Sequence, residues 1–547
     1  MSKVKGQNYM HGAAILTIGV VIMKILGFIY KIPLGNILGD EGFSMFTSAY
    51  NIYYVFFALA TAGLPVALSR LVAEADANGR AKQEEKTFRV ALLTFFVIGT
   101  VFALILYLFP NWLADNYLEN PDAAPSIRAM APSILLVCLV SAYRGYCQGN
   151  GNMLPTTVDE VLEVLFKVIS GLILSAVIIN MGLGLPAASA GAIFGVSIGS
   201  VVSLGYMIIY KRRNYDVLSA PYTGGRAPND IPEDDEEVDD AMTIVRKILT
   251  IGIPIAFGAC ILALLNSVDS KLCMNRLQSA AGFSYQEAKV LYGVYGKAQT
   301  LFNLPAAFIT PLTIAIVPAI SGAIARGSRG EAMKTAEDSM RISAAIALPM
   351  GVGLAVLSHP IMNILYPNSN EAGPGLLSVM GIASFFVCLV LMENAILQAS
   401  GKEKLTMITL ISGGLIKIAV NWFLVAEVSI NIYGAPVGTL VSYFFMAVLD
   451  FVFMCVTLKE KPRALKVFAG PIAASLLMAA TAWAIYGLAG RFLGIESYFG
   501  MLLSMALAIA VAVVVYAVSV IAMRVITKED MSLIPGGAKV AKLLHMR

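Results

Sequence analysis

Fourteen stretches of this chain are each about 20 residues or longer and mostly apolar. That is the length an α-helix needs to cross the hydrocarbon core of a bilayer. They lie at about 10–32, 45–69, 89–111, 127–147, 156–180, 187–210, 244–270, 292–321, 341–360, 374–399, 404–427, 433–457, 466–490 and 498–526. A backbone surrounded by lipid must satisfy its hydrogen bonds within itself, so runs of this kind predict helical spans. Only 14% of the residues are charged and 58% are hydrophobic, against about 25% charged in an average soluble chain. The expected fold is an all-α polytopic membrane protein with fourteen transmembrane helices. Met10 to Tyr30 reads as the first span, because no small-residue cleavage site follows it.

Basic residues orient the spans. With the N-terminus placed in the cytoplasm, 29 of the 39 lysines and arginines fall in cytoplasmic segments, seven in outer segments, and Lys24, Lys167 and Lys417 inside spans. The alternation supports both the span count and cytoplasmic termini.

The chain also repeats itself. Val137-Cys138-Leu139-Val140 returns as Val387-Cys388-Leu389-Val390, and at the same offset of 250 residues Gln148 matches Gln398, Gly151 matches Gly401, Thr156 matches Thr406 and Lys167 matches Lys417. Ile15-Leu16-Thr17-Ile18-Gly19 recurs as Ile248-Leu249-Thr250-Ile251-Gly252, and Tyr50, Tyr53, Leu64 and Pro65 resemble Tyr292, Tyr295, Leu304 and Pro305. One register held over a long stretch indicates an internal duplication. The expected organisation is an N-terminal lobe at 1–210, a charged cytoplasmic linker at 211–243, a C-terminal lobe at 244–457, and two added spans with a tail at 458–547. Each lobe has six spans, so both enter the membrane from the same side. Parallel six-helix lobes are one architecture for alternating access, with substrate between them. The linker carries the acidic run Glu233 to Asp240 and reads as a solvated tether.

A charge at the membrane centre costs about 2.5–3.5 kcal/mol on insertion scales and so needs a reason. Lys24 lies two-thirds along the first span, where both snorkelling and a polar cavity are open readings; Lys31 reads as a rim anchor. Asp159, Glu160, Glu163 and Lys167 crowd into nine residues of the fifth span, and Glu163 and Lys167, four apart, can pair on one helical face. Lys417 has Gly413 where an acid would sit, so it needs a partner from another helix, with Glu393 and Asp450 as candidates, or a bound anion. Asp269, Lys271, Arg276, Lys289 and Lys297 sit on the outer side against the topology bias, which marks Lys297 and Asp269 as candidates for a cavity wall or gate. Pro33, Pro65, Pro254, Pro305, Pro311 and Pro318 predict bent helices. The six cysteines fit neither a disulfide framework nor a zinc site. The three isolated histidines and the lack of a phosphate-binding glycine loop argue against an enzyme, a metal site and ATP hydrolysis by this chain. No cofactor or nucleic-acid partner is expected, which leaves the membrane potential or an ion gradient as the energy source.

Arg144-Gly145-Tyr146-Cys147-Gln148-Gly149, followed by Met153, Pro155-Thr156 and Glu163, resembles a pattern of the bacterial branch that holds stage V sporulation protein B and the YtgP-type lipid II flippases. That branch belongs with MurJ in the MOP exporter superfamily. Tyr292 to Pro305 is similar to the same branch, and Lys24-Ile25-Leu26-Gly27-Phe28 is similar to an arginine-x-leucine-glycine-phenylalanine motif in MurJ span 1. Two departures stand out. Lysine at position 24 keeps the charge but loses the bidentate fork of arginine, and Asp159-Glu160 stands where the branch often has serine-glutamine.

The resemblance implies a flippase for an undecaprenyl-pyrophosphate-linked glycan, with lipid II as the expected substrate and cell-wall synthesis machinery as an expected partner. Lys24 would contact the pyrophosphate, Lys297 and Asp269 would line the cavity or gate, and Arg70 and Arg144 would form the cytoplasmic entrance. Lys31, Glu163, Lys167 and Lys417 complete the candidate set. The alternatives are a flippase for another polyprenyl-linked glycan or a spore-cortex precursor, a cation-coupled multidrug exporter, and a membrane scaffold without transport.

Overall fold

A computed structural model of the chain describes residues 9–214, 238–459, 463–494, 496–523 and 525. Lys3, Lys5, most of the linker with Glu233 to Glu237, Lys461, and the C-terminal basic residues from Arg524 onward lie outside the described residues. Among the described residues the regular structure is helical. The principal helices are α1 (Tyr9–Thr61), α2 (Leu64–Ala77), α3 (Ala81–Leu108), α4 (Ala124–Gly149), α5 (Leu154–Asn180), α6 (Leu185–Arg213) and α7 (Ala241–Ser279). They continue as α8 (Tyr285–Phe302), α9 (Leu304–Ala325), α10 (Arg329–Val356), α11 (Ser358–Leu365), α12 (Ala372–Ala399), α13 (Glu403–Leu424), α14 (Gly434–Leu458), α15 (Ala464–Leu493) and α16 (Tyr498–Ala522).

Thirteen helical segments among the described residues are long and apolar enough to cross a membrane. The first, Gly19–Ala77, takes in the 10–32 stretch from Gly19 onward together with the 45–69 stretch, and the other twelve correspond one for one to the remaining sequence stretches. The reason is visible in α1. At 53 residues it would run about 80 Å as a straight helix, more than twice the hydrocarbon thickness. It is not straight: Gly39 has φ 65° and ψ −168°, a conformation that lacks the usual cost only when there is no Cβ. Two helices of spanning length therefore meet at one residue, where the sequence led us to expect a loop over about 33–44. The protein is a multi-pass membrane protein. Its outward surface bears large apolar side chains such as Trp483, Phe492 and Phe499, at 72%, 83% and 78% exposure, as lipid contact requires.

The prolines behave as their chemistry dictates. Pro65 and Pro305 occupy the first turn of α2 and α9, where the missing N–H is not needed. Pro311 and Pro318 lie inside α9, and the 292–321 stretch is divided into α8 and α9 at Asn303.

The chain divides into two compact units, residues 1–274 and 275–547, the division falling within α7. In the first unit α4 is central and packs on α1, α2, α3 and α6, while α5 packs on α6. In the second, α12 is central and packs on α8, α9, α10 and α14, while α13 packs on α14. The sequence repeat that joins 137–167 to 387–417 thus recurs as a repeat of packing partners. The added helices α15 and α16 pair with each other, and α15 lies along α10. Among the described residues the six cysteines are free, all buried except Cys455.

Candidate functional site

In the first unit three helices bring charge together. Arg144, near the end of α4, is 7% exposed. Its Nε donates to Asp159 Oδ2 at 2.9 Å and its Nη2 to Glu163 Oε2 at 2.8 Å, with Glu160 Oε1 3.6 Å from Nη1. Asp159, Glu160 and Glu163 stand on the first turns of α5, just across the 149–154 connection. From α6, Ser203 donates to Asp159 at 2.9 Å and Ser200 to Glu163 at 3.1 Å. Helix α6 can come so near because of Gly199, where a Cβ would collide with the carbonyl oxygen of Glu163. The Asp159-Glu160 departure therefore has a structural role: these carboxylates compensate a guanidinium held out of water.

Glu163 is committed to Arg144 and Ser200, and among the described residues no ion pair joins it to Lys167. The i,i+4 pair that the spacing allowed is not formed. Lys167, one turn further along α5, acts instead on Lys31 of α1, as does Lys24. Lys24 and Lys31 are seven residues apart on α1, two turns along nearly one face. Parallel packing of α1 on α5 sets this up: Gly19 lies against Thr157, and Tyr30, also against Gly171, donates to the carbonyl of Ala192 at 3.1 Å. Lys31 is half-buried two turns before the break at Gly39, in the field of two other lysines. Lys24 is exposed and Lys167 half-buried. Among the described residues none of the three lysines has a hydrogen bond or an ion pair.

An aromatic ladder runs along α1 beyond the break. Phe43, Phe46, Tyr50, Tyr53 or Tyr54, and Phe57 follow one another with ring centroids 5.5–5.8 Å apart, except for the wider Tyr50–Tyr54 pair at 6.4 Å. Tyr53 lies in the field of Glu163 and Arg144. Sequence reasoning used Tyr50 and Tyr53 only as repeat markers. Their spacing of three and four residues was the available signal that they share a helical face.

The remaining candidates are dispersed. Arg70 is exposed on α2 and has no ion pair among the described residues. Asp269 is buried on α7 within the first unit. In the second unit Lys297, 2% exposed, lies over the ring of Tyr366 at 5.1 Å, and Lys417 is half-buried on α13. Neither Glu393 nor Asp450 partners Lys417, since all four of their carboxylate oxygens lack a hydrogen-bond partner. The arrangement in the first unit can hold an anion: Arg144 is already neutralised, whereas the three lysines have no ion pair among the described residues.

A family model described as polysaccharide biosynthesis protein matches residues 9–324, and a second, MatE, matches residues 289–423. The membrane protein YabM of Bacillus subtilis (strain 168) is 27% identical over 541 residues, covering 98% of this chain and 96% of YabM. Lipid II flippase MurJ of the same organism is 25% identical over 459 residues, covering 81% and 82%. A solved structure of lipid II flippase MurJ in an inward closed conformation shares the fold, with a TM-score of 0.67, 14% identity, and coverage of 92% of this chain and 98% of that one.

Proposed function

Because the chain belongs to the polysaccharide biosynthesis protein family, we propose that it is a transporter that flips an undecaprenyl-pyrophosphate-linked glycan, with lipid II as substrate, from the cytoplasmic to the outer leaflet of a bacterial plasma membrane. The observation that carries this reading is the set of Lys24, Lys31 and Lys167 on two packed helices, none with an ion pair among the described residues, with Lys24 and Lys167 both acting on Lys31. In a medium of low dielectric such charges repel one another strongly. An entering diphosphate supplies the counter-charge and is held by it. A pyrophosphate and sugar headgroup cannot enter hydrocarbon unaided, whereas its polyprenyl tail can stay in lipid. Lys24, the exposed member, makes first contact. The exposed Tyr54 and its aromatic neighbours offer flat apolar faces to sugar rings.

The similarity to MurJ of Bacillus subtilis supports lipid II over other polyprenyl-linked glycans. The MatE match at residues 289–423 favours a second reading, cation-coupled drug export, but a cluster of lysines suits an anionic cargo rather than a cationic drug. The test is rescue of a bacterial strain depleted of its lipid II flippase, read as growth together with lipid II on the outer leaflet. Rescue by the wild-type chain and none by an equally abundant Lys24→Ala variant is the expected result. An abundant wild-type protein that fails to rescue would overturn lipid II as substrate, and full rescue by Lys24→Ala would remove the lysine cluster from the mechanism.

A further inference from the structure

The end of the first unit away from Arg144 carries a groove that the transport reading does not use. It lies between the packed helices α3, α4 and α6 and has a volume of about 440 Å³, within the roughly 300–1,000 Å³ of clefts that hold small ligands. One wall is a stripe of α4, on which Pro125, Arg128, Ala129 and Pro132 follow the helical period. Proline and alanine leave space there, where much of the lipid-facing surface bears bulky side chains. Phe194 of α6, 43% exposed, adds a further apolar wall. Pro132 and Phe194 stand eight and nine residues into their helices, about 12–14 Å from the helix ends, so the groove descends to hydrocarbon depth.

Polar groups gather nearer its mouth. Arg128 is exposed on the second turn of α4, its guanidinium carbon 5.9 Å from the centre of the Tyr107 ring of α3. Among the described residues Arg128 has no ion pair, and neither the Tyr107 hydroxyl nor the side chain of Asn111, just beyond α3, has a hydrogen bond. The first turn of α4 holds no acidic residue, and none of Asp115, Glu119 and Asp122 in the preceding connection lines the groove. Pro132 has no N–H to give the Arg128 carbonyl four residues earlier. An uncompensated cation, two further donors and a carbonyl acceptor thus meet above an apolar slot.

We propose that this groove binds one anionic phospholipid from the leaflet at this end of the bundle, a diacyl lipid with a phosphodiester and headgroup hydroxyls such as phosphatidylglycerol. Arg128 pairs with the phosphodiester, Tyr107 and Asn111 donate to its other oxygens, and a headgroup hydroxyl donates to the Arg128 carbonyl. One acyl chain lies against Ala129, Pro132 and Phe194. A zwitterionic headgroup brings an ammonium group into the field of the arginine and is held less well. The basic-residue alternation places this end in the outer leaflet. The site does not depend on what the protein transports.

The test uses the full-length protein, stripped of lipid in detergent micelles and offered equal amounts of phosphatidylglycerol and phosphatidylcholine with identical chains. Native mass spectrometry counts the lipid retained. The wild type should retain phosphatidylglycerol about fivefold better, the weight of one basic residue at an anionic membrane surface. Arg128→Gln should melt at the wild-type temperature without lipid and lose that preference. Arg491→Gln, at an exposed arginine on the last turn of α15, should keep it. Ala129→Leu, which fills the groove, should lower retention of both lipids; if it does not fold, Arg128→Gln decides. No preference in the wild type, a preference kept by folded Arg128→Gln, or one lost equally in Arg491→Gln overturns the proposal. So does undecaprenyl phosphate that displaces phosphatidylglycerol from the wild type but not from Arg128→Gln, since the groove would then belong to the path of the cargo. None of these outcomes alters the rescue experiment.

Discussion

The two units both bury acids among the helices that the repeat relates, but on different members of the set, and treat them in opposite ways. In the first, three carboxylates of α5 surround one guanidinium, and Ser203 and Ser200 of α6 donate to Asp159 and Glu163. In the second, the carboxylates of Glu393 and Asp450 stand on α12 and α14, Asn394 takes the place of the arginine in the 250-residue register, and no oxygen of either carboxylate is bonded. A duplicated scaffold has thus kept its helix packing while moving its charges by a few residues. The difference separates two situations of a membrane-buried acid. A carboxylate locked to an arginine fixes α4 against α5 and α6, whereas one left without a partner carries the full cost of its burial.

The largest effect should come from removing the arginine. Arg144→Ala leaves three acids uncompensated and is expected to cost about 3–5 kcal/mol, read as loss of monodisperse protein and a lowered thermal midpoint. Asn394→Ala, its counterpart, should cost under about 1 kcal/mol; equal losses would break the comparison. Next, Glu393→Gln should raise stability by about 1–2 kcal/mol, since an amide is cheaper to bury than an unpaired carboxylate. Glu163→Gln should lower it, and the opposite signs can be read in one series of thermal melts. Lys167→Met removes a like charge from the field of Lys31, so a gain below about 1 kcal/mol is expected, together with loss of rescue in the depletion strain; a parallel loss of fold would make Lys167 a structural residue. The smallest change is Ser200→Ala, about 1 kcal/mol for a single hydrogen bond, with transport retained.

Much of this fold was legible because spanning helices announce themselves locally: twelve of the sequence stretches reappear as separate helical segments, and the Leu64-Pro65 and Leu304-Pro305 match marks the starts of α2 and α9. The partners were less legible. Glu163 has Lys167 four residues away and Arg144 nineteen residues away, and only the turn at 149–154, with α6 brought close by Gly199, decides for the arginine. That choice in turn leaves Lys167 beside Lys31. Asp159 and Glu160 looked out of place near an anion site for the same reason, since their purpose depends on a residue in the preceding helix. The contrast between Arg144 and Asn394 was already present in the repeat register, but it acquires meaning only once the neighbouring oxygens are known to be buried and unbonded.

The break at Gly39 bears on how the protein is made. With the two halves of α1 joined at a single residue, and only Asp40 and Glu41 charged beside it, almost no polar chain has to be carried through the bilayer between them. The nascent chain can therefore enter the membrane as one helical hairpin, its two legs inserted together rather than in turn. A side chain at position 39 would then act at biogenesis, as a defect in yield rather than in turnover.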